Sequence, residues 1–124
     1  MFHFENLIAF QKARVLVNHV YDLQMRFPKE ENYALGDQVR RAAVSITSNV
    51  AEGMGRFSLK EQVHFIEISF GSLMEVYSQL LIAMDRHYIS QSDLDNVSPE
   101  ILEVSKLLSG LRLSLIKKQQ QTKS

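Results

Sequence analysis

The 124-residue chain contains no cysteine, only two prolines and five glycines, and no excess of either charge. Without cysteine there is no disulfide, no thiolate nucleophile and no cysteine-ligated zinc or iron–sulfur site. That composition fits a reducing cytoplasm, the expected location. The shortage of glycine and proline argues against an all-β protein built on many tight turns. Fourteen basic residues balance fourteen acidic ones. Residues 1–60 hold 8 basic and 6 acidic side chains, and residues 61–124 hold 6 and 8, so the halves differ only as +2 against −2. A strong sequence-independent nucleic-acid binder usually carries a larger basic excess, although charge can still gather on one face. Long apolar runs are also missing. The longest, Leu80 to Met84, falls far short of the ~20 residues of a membrane helix. The stretch from Met1 to Ala13 lacks the basic and apolar regions of a signal peptide. No membrane association is therefore expected.

What is present is apolar content of 45%, enough to build a core, arranged with helical spacing in four stretches. In the first, about Glu5 to Arg26, Phe10, Ala13, Val17, Val20 and Phe27 recur at steps of three and four, flanked by Leu16 and Leu23. Pro28 ends it, because its ring disfavours helical geometry at the residue before. The second, about Ala34 to Glu52, carries Leu35, Val39, Ala42, Ile46 and Val50, with small neighbours Ala43, Ser45, Ser48 and Gly53 that permit close helix approach. Gly53 and Gly55 bracket Met54 as an expected C-terminal cap and turn. Ser58 and Glu61 form a capping box that opens the third helix, about Leu59 to Arg86. Its stripe is Val63, Ile66, Phe70, Leu73, Tyr77, Leu80, Leu81 and Met84. Gly71 inside it costs roughly 1 kcal/mol against alanine, which a closely packed neighbouring backbone would justify. His87 to Val97 reads as a polar connection with at most one helical turn around Asp93. Ser98 and Pro99 suit the cap and first position of a fourth helix rich in leucine.

Four amphipathic segments with short connections predict an all-α fold, an antiparallel up-and-down four-helix bundle. The bundle domain is expected over residues 1–118, with a flexible tail over 119–124. Leu107, Leu108, Leu111, Leu113 and Leu115 in the fourth segment, and Leu7, Ile8 and Leu16 in the first, make stripes wider than one core face. That width points to self-association, or else to a thick core face.

Catalytic patterns are missing. Glu61 and His64 form one Glu-x-x-His pair, but a carboxylate-bridged metal site needs a second such pair and two more glutamates, so no metal and no cofactor is expected. His3, His19 and His87 are isolated. Gly53-x-Gly55 ends a helix and does not follow a strand, so it is no nucleotide fingerprint. No local signature joins a nucleophile to a base. The expected class is therefore not an enzyme. Arg40, Arg41 and Arg56, with Lys60, are the candidate phosphate contacts, since guanidinium groups bind phosphate oxygens in pairs. Arg40 and Arg56 could share one side of the second helix if it stays regular. The alternative is local ion pairing with Glu52, Glu67 or Glu75. Ser45, Asn49 and Ser72, polar among apolar neighbours, form a candidate structural polar network with Glu52 and Glu75; a binding pocket is the other reading.

The run Phe27-Pro28, Tyr33, Leu35, Gln38, Arg40-Arg41-Ala42, Ser45-Ile46, Ser48-Asn49, Ala51-Glu52-Gly53 and Arg56, followed by Phe65, Gly71-Ser72 and Glu75, resembles the bacterial four helix bundle proteins. These are also described as S23-type or ribosomal intervening-sequence proteins, encoded within insertions in large-subunit ribosomal RNA genes. Phe10 departs from the pattern, standing where tryptophan is common. The resemblance implies an antiparallel four-helix bundle in a ring-like homo-oligomer, with a pentamer as its expected form. Through the related accessory variability proteins of retroelements it also implies association with RNA or DNA through a basic surface. The alternative is a protein–protein interaction module that touches only itself or a protein partner.

Overall fold

The structure, a computed structural model, describes residues 2–123. A short 3-10 turn (His3–Asn6) leads into α1 (Ile8–Gln24), and a second (Lys29–Glu31) precedes α2 (Leu35–Met54), α3 (Leu59–Asp85) and α4 (Gln91–Lys123). Each helix packs on its neighbours in sequence, and α1 packs on α4 to close the ring. Among the described residues no Cα atoms of α1 and α3, or of α2 and α4, come within 8 Å of each other. The fold is thus the expected antiparallel up-and-down four-helix bundle. Its core takes Leu16, Val20 and Leu23 from α1, Val39, Ile46 and Val50 from α2, Ile66, Leu73 and Leu80 from α3, and Val97, Val104 and Leu108 from α4. Full burial of side chains of this size contributes about 1.5–3 kcal/mol each.

Two boundaries differ from the sequence reading. The fourth helix starts at Gln91, and Pro99 lies inside it. Its cap is Ser90: the Ser90 hydroxyl accepts the Asp93 N–H at 3.0 Å, and the Asp93 carboxylate accepts the Ser90 N–H at 2.9 Å. This is a capping box with aspartate in the reciprocal role. The Ser90 backbone bond and the Arg26 guanidinium hold the Asp93 carboxyl below its ordinary pKa. Pro99 leaves one carbonyl, that of Asp95, without its helical donor, and Asp95 is exposed to water. At the other end, residues 119–123, expected as a flexible tail, are helical. Glutamine and lysine favour helix, which explains the continuation; Ser124 lies outside the described residues.

The wide apolar stripes resolve mostly into core. Leu16, Leu108 and Leu115 are buried, and Leu107 and Leu111 pack against the core from its edge. Ile8, Leu102 and Leu113 remain exposed. Helix α3 is long and apolar enough to cross a membrane by length and composition, which the search for unbroken apolar runs missed. Its place in the fold accounts for that composition, because it packs on both α2 and α4.

The α1–α4 seam carries a ladder of polar pairs: Lys12 with Glu103 at 3.4 Å, His19 Nδ1 with Glu100 at 2.5 Å, and Arg26, just past the end of α1, with Asp93. Lys12 and His19, seven residues apart, lie on one side of α1. Exposed pairs like Lys12–Glu103 contribute little each, about 0.2–1 kcal/mol, but together they favour one helix register. At the top of α3, His87 adopts φ 65, and Tyr88 N–H bonds to Ala83 O at 2.8 Å while His87 N–H bonds to Met84 O at 2.9 Å. This is a Schellman stop, with histidine in the position that glycine usually takes.

Gly71 has open space where a Cβ would stand, so the close backbone approach expected there does not occur. Gly71→Ala is therefore expected to stabilise the protein by about 0.5–1 kcal/mol, through lower chain entropy in the unfolded state. Urea denaturation followed by circular dichroism would check it, and a lower midpoint would contradict the open position.

Candidate nucleic-acid interface on the second helix

The two adjacent arginines of α2 converge on one carboxylate. Arg41 Nε donates to Asp37 Oδ2 at 2.9 Å, and Arg40 Nη2 lies 3.8 Å from Asp37 Oδ1. Arg40 Nη2 also donates to the Asn32 carbonyl at 2.8 Å. Helical spacing brings this about, because positions three and four apart meet on one face. Two guanidinium groups against one carboxylate leave a local surplus of one positive charge. The Arg41 side chain is 80% exposed.

Arg56 is not on α2. The helix ends at Met54, so a regular-helix projection from Arg40 does not reach it. Instead Arg56 follows the Gly55 cap, donates to Glu52 Oε1 at 2.6 Å and lies over the Phe65 ring at 4.7 Å. Lys60, in the first turn of α3, is exposed and makes no ion pair among the described residues. Of the three expected acidic partners, Glu52 holds Arg56, Glu67 instead holds Arg112 of α4 at 2.7 Å, and Glu75 makes no ion pair among the described residues.

Hollows along α2 connect these groups. One of about 580 Å³ is lined by Tyr21, Asp37, Arg40, Arg41, Val44, Ser45 and Ser48. The next, about 650 Å³, is lined by Ser48, Ala51, Glu52, Gly55, Arg56, Phe57 and Glu61, so the two meet at Ser48. A third of about 370 Å³, between α2 and α3, brings Gln38, Arg41, Ala42 and Ser45 opposite Ser72, Glu75 and Gln79.

The family model of the 23S rRNA-intervening sequence protein matches residues 5–110. The chain belongs to that family. It is also similar to a crystal structure from Bacteroides thetaiotaomicron, described as a protein of unknown function from the S23 ribosomal protein family. The TM-score is 0.78 at 17% identity, over 85% of this chain and 98% of that one, a likeness that shows the fold. No curated protein matches.

In this intervening-sequence protein the small polar residues lie between α2 and α3. Ser45 Oγ and Ser72 Oγ are 2.8 Å apart, and Asn49 Nδ2 donates to both Ser45 O and Ser45 Oγ at 2.8 Å. The buried Ser69, which the sequence reading passed over, donates to Ile46 O at 2.7 Å. Glu52 and Glu75 stand outside this group: Glu52 is exposed in its pair with Arg56, and Glu75 lines the rim of the third hollow. Gln79 Oε1 is buried there and has no donor among the described residues. Among the described residues no three His, Cys, Asp or Glu side chains group as a metal site. The sequence reading also missed Phe57, whose ring is fully exposed beside Arg56. Hydrophobicity alone would have placed it in the core.

Proposed function

We propose that this chain is a non-catalytic, cytoplasmic scaffold protein that assembles into a ring-like homo-oligomer, with five copies as the expected number, and contacts RNA or DNA through the α2 strip. The observation that carries the nucleic-acid part is the shared carboxylate. Arg40 and Arg41 divide Asp37 between them, which leaves guanidinium donors free for phosphate oxygens beside the hydroxyls of Ser45 and Ser48. Ring assembly repeats a weak patch and raises avidity without new contacts.

A second reading, a module that binds only copies of itself or a protein partner, is favoured by one feature. An apolar hollow of about 380 Å³ between α3 and α4 is lined by Met74, Tyr77, Ile101 and Leu102, and Met74 and Leu102 are exposed. Light scattering and a gel-shift titration on one sample separate the readings. The proposal expects an oligomer that retards RNA or DNA at low salt. Arg40→Ala combined with Arg41→Ala should weaken binding and lower the salt slope by about 1.4 on single strands, the loss of two phosphate contacts. An oligomer that retards neither nucleic acid at low salt would favour the protein-only module, and a monomer would overturn the scaffold.

A further inference from the structure

We propose that Phe57 is a stacking platform for an unpaired nucleobase, with Arg56 and Lys60 beside it to meet the flanking phosphates. This rests on the nucleic-acid reading above and narrows it to single-stranded segments. Phe57 has a relative exposure of 104%, the highest of the large apolar side chains among the described residues. The cause is not a loose loop. Gly55 N–H bonds to Ala51 O at 3.1 Å and Arg56 N–H to Gly53 O at 3.0 Å, while Gln62 Nε2 holds the Arg56 carbonyl at 2.8 Å. On the other side, Ser58 Oγ accepts the Glu61 N–H at 3.1 Å. Phe57 is thus carried outward between two pinned residues, and the nearby Phe65 ring is covered by Arg56 instead. A ring fixed in this way has lost its backbone freedom before any ligand arrives.

The surroundings select the kind of ligand. No other large apolar side chain lines the hollow beside Phe57, whose remaining walls are Ser48, Ala51, Glu52, Gly55, Arg56 and Glu61. A protein hot spot sits in a closely packed cluster that contacts around it seal from water, whereas this hollow is open and has charged walls. A base needs only one ring face and nearby cations, and base–aromatic stacking contributes about 1–3 kcal/mol. Arg56 precedes the ring directly, and Lys60, three residues after it, makes no ion pair among the described residues. Glu61, on the same hollow, can accept from an exocyclic base amine. A base inside a duplex has both faces covered by its neighbours, so this ring can reach only an unstacked base.

The chain contains no tryptophan, so Phe57→Trp places a single fluorescent reporter at the site. Titration with a single-stranded oligonucleotide should quench it, and a duplex with the same number of phosphates should not. Phe57→Ala and Phe57→Leu should each lower single-strand affinity about 5- to 150-fold, with duplex affinity, light-scattering mass and circular dichroism unchanged. Single-strand affinity within twofold of the parent in both variants, while Arg40→Ala with Arg41→Ala weakens it, overturns the stacking platform and leaves the nucleic-acid reading standing. Failure of the parent protein to bind either oligonucleotide at low salt overturns both. A smaller particle in Phe57→Ala overturns the platform by assigning the ring to a contact between copies.

Discussion

Shortening Leu73 to alanine should remove about 3–5 kcal/mol of folding stability, the range for deletion of a fully enclosed leucine side chain. Leu73 has no exposed surface and sits near the middle of α3, the helix that packs on both α2 and α4. Its loss combines the transfer energy of the removed methyl groups with a cavity that neighbours on two other helices cannot close without moving. Typical domains are stable by only about 5–15 kcal/mol, so the urea midpoint should fall by about a fifth or more. Measurements belong at one protein concentration, since self-association would add to apparent stability. Leu102→Ala supplies the contrast: Leu102 is exposed, and its truncation should change stability by less than about 0.5 kcal/mol. Equal losses at the two positions would contradict the faces that the bundle assigns.

Leu73 was legible in the sequence because Ile66, Leu73 and Leu80 repeat every seven residues, and such a stripe has one place to go in a bundle. The same logic placed Val39, Ile46 and Val50 correctly in the core. The start of α4 was not legible in the same way. Ser98-Pro99 is a strong local start signal, yet Leu94 and Val97 are buried in the core, and Arg26 reaches Asp93 from the turn after α1. Tertiary burial thus starts the helix two turns ahead of the local signal. The polar pairs between α1, the turn after it and α4 join positions far apart in the chain, and no single sequence reveals such pairings.

The candidate interface divides along the same line. Asp37 stands four residues before Arg41, so that pair could have been read directly from helical spacing. The positions of Arg56 and Phe57 could not. They depend on a turn fixed by Gln62 and Phe65, side chains that lie beyond it in α3. Gly55 caps α2 as expected, with a φ of −85 and not in a left-handed turn. Gly53 is inside α2 and buried, and its role is one of space.

Gly53→Val is accordingly expected to destabilise the protein by about 3 kcal/mol, the upper end for inserting methyl groups into a close-packed contact. A Cβ at this position would lie 2.9 Å from Phe65 Cβ and 3.3 Å from the Gln62 carbonyl oxygen. Neither is the end of a flexible side chain, so the substitution must push the start of α3 away from the end of α2. The better helix propensity of valine offsets only a few tenths of a kcal/mol. The thermal midpoint should drop by roughly 10 °C for a domain of this size. Gly55→Ala is the control, because a Cβ there meets only Glu52 O at 3.4 Å and Ala51 O at 3.6 Å, and its φ of −85 suits any residue. It should unfold within about 0.5 kcal/mol of the parent. The displacement has a second consequence. Gln62 anchors the Arg56 carbonyl and Phe65 supports its guanidinium, so shifting α3 unfastens the turn that carries Phe57. Gly53→Val should then weaken single-strand binding at temperatures where it is still folded, although Arg40 and Arg41 stand far along α2 from the change. A folded Gly53→Val variant with unaltered single-strand affinity would show that the turn does not depend on this close approach of the two helices.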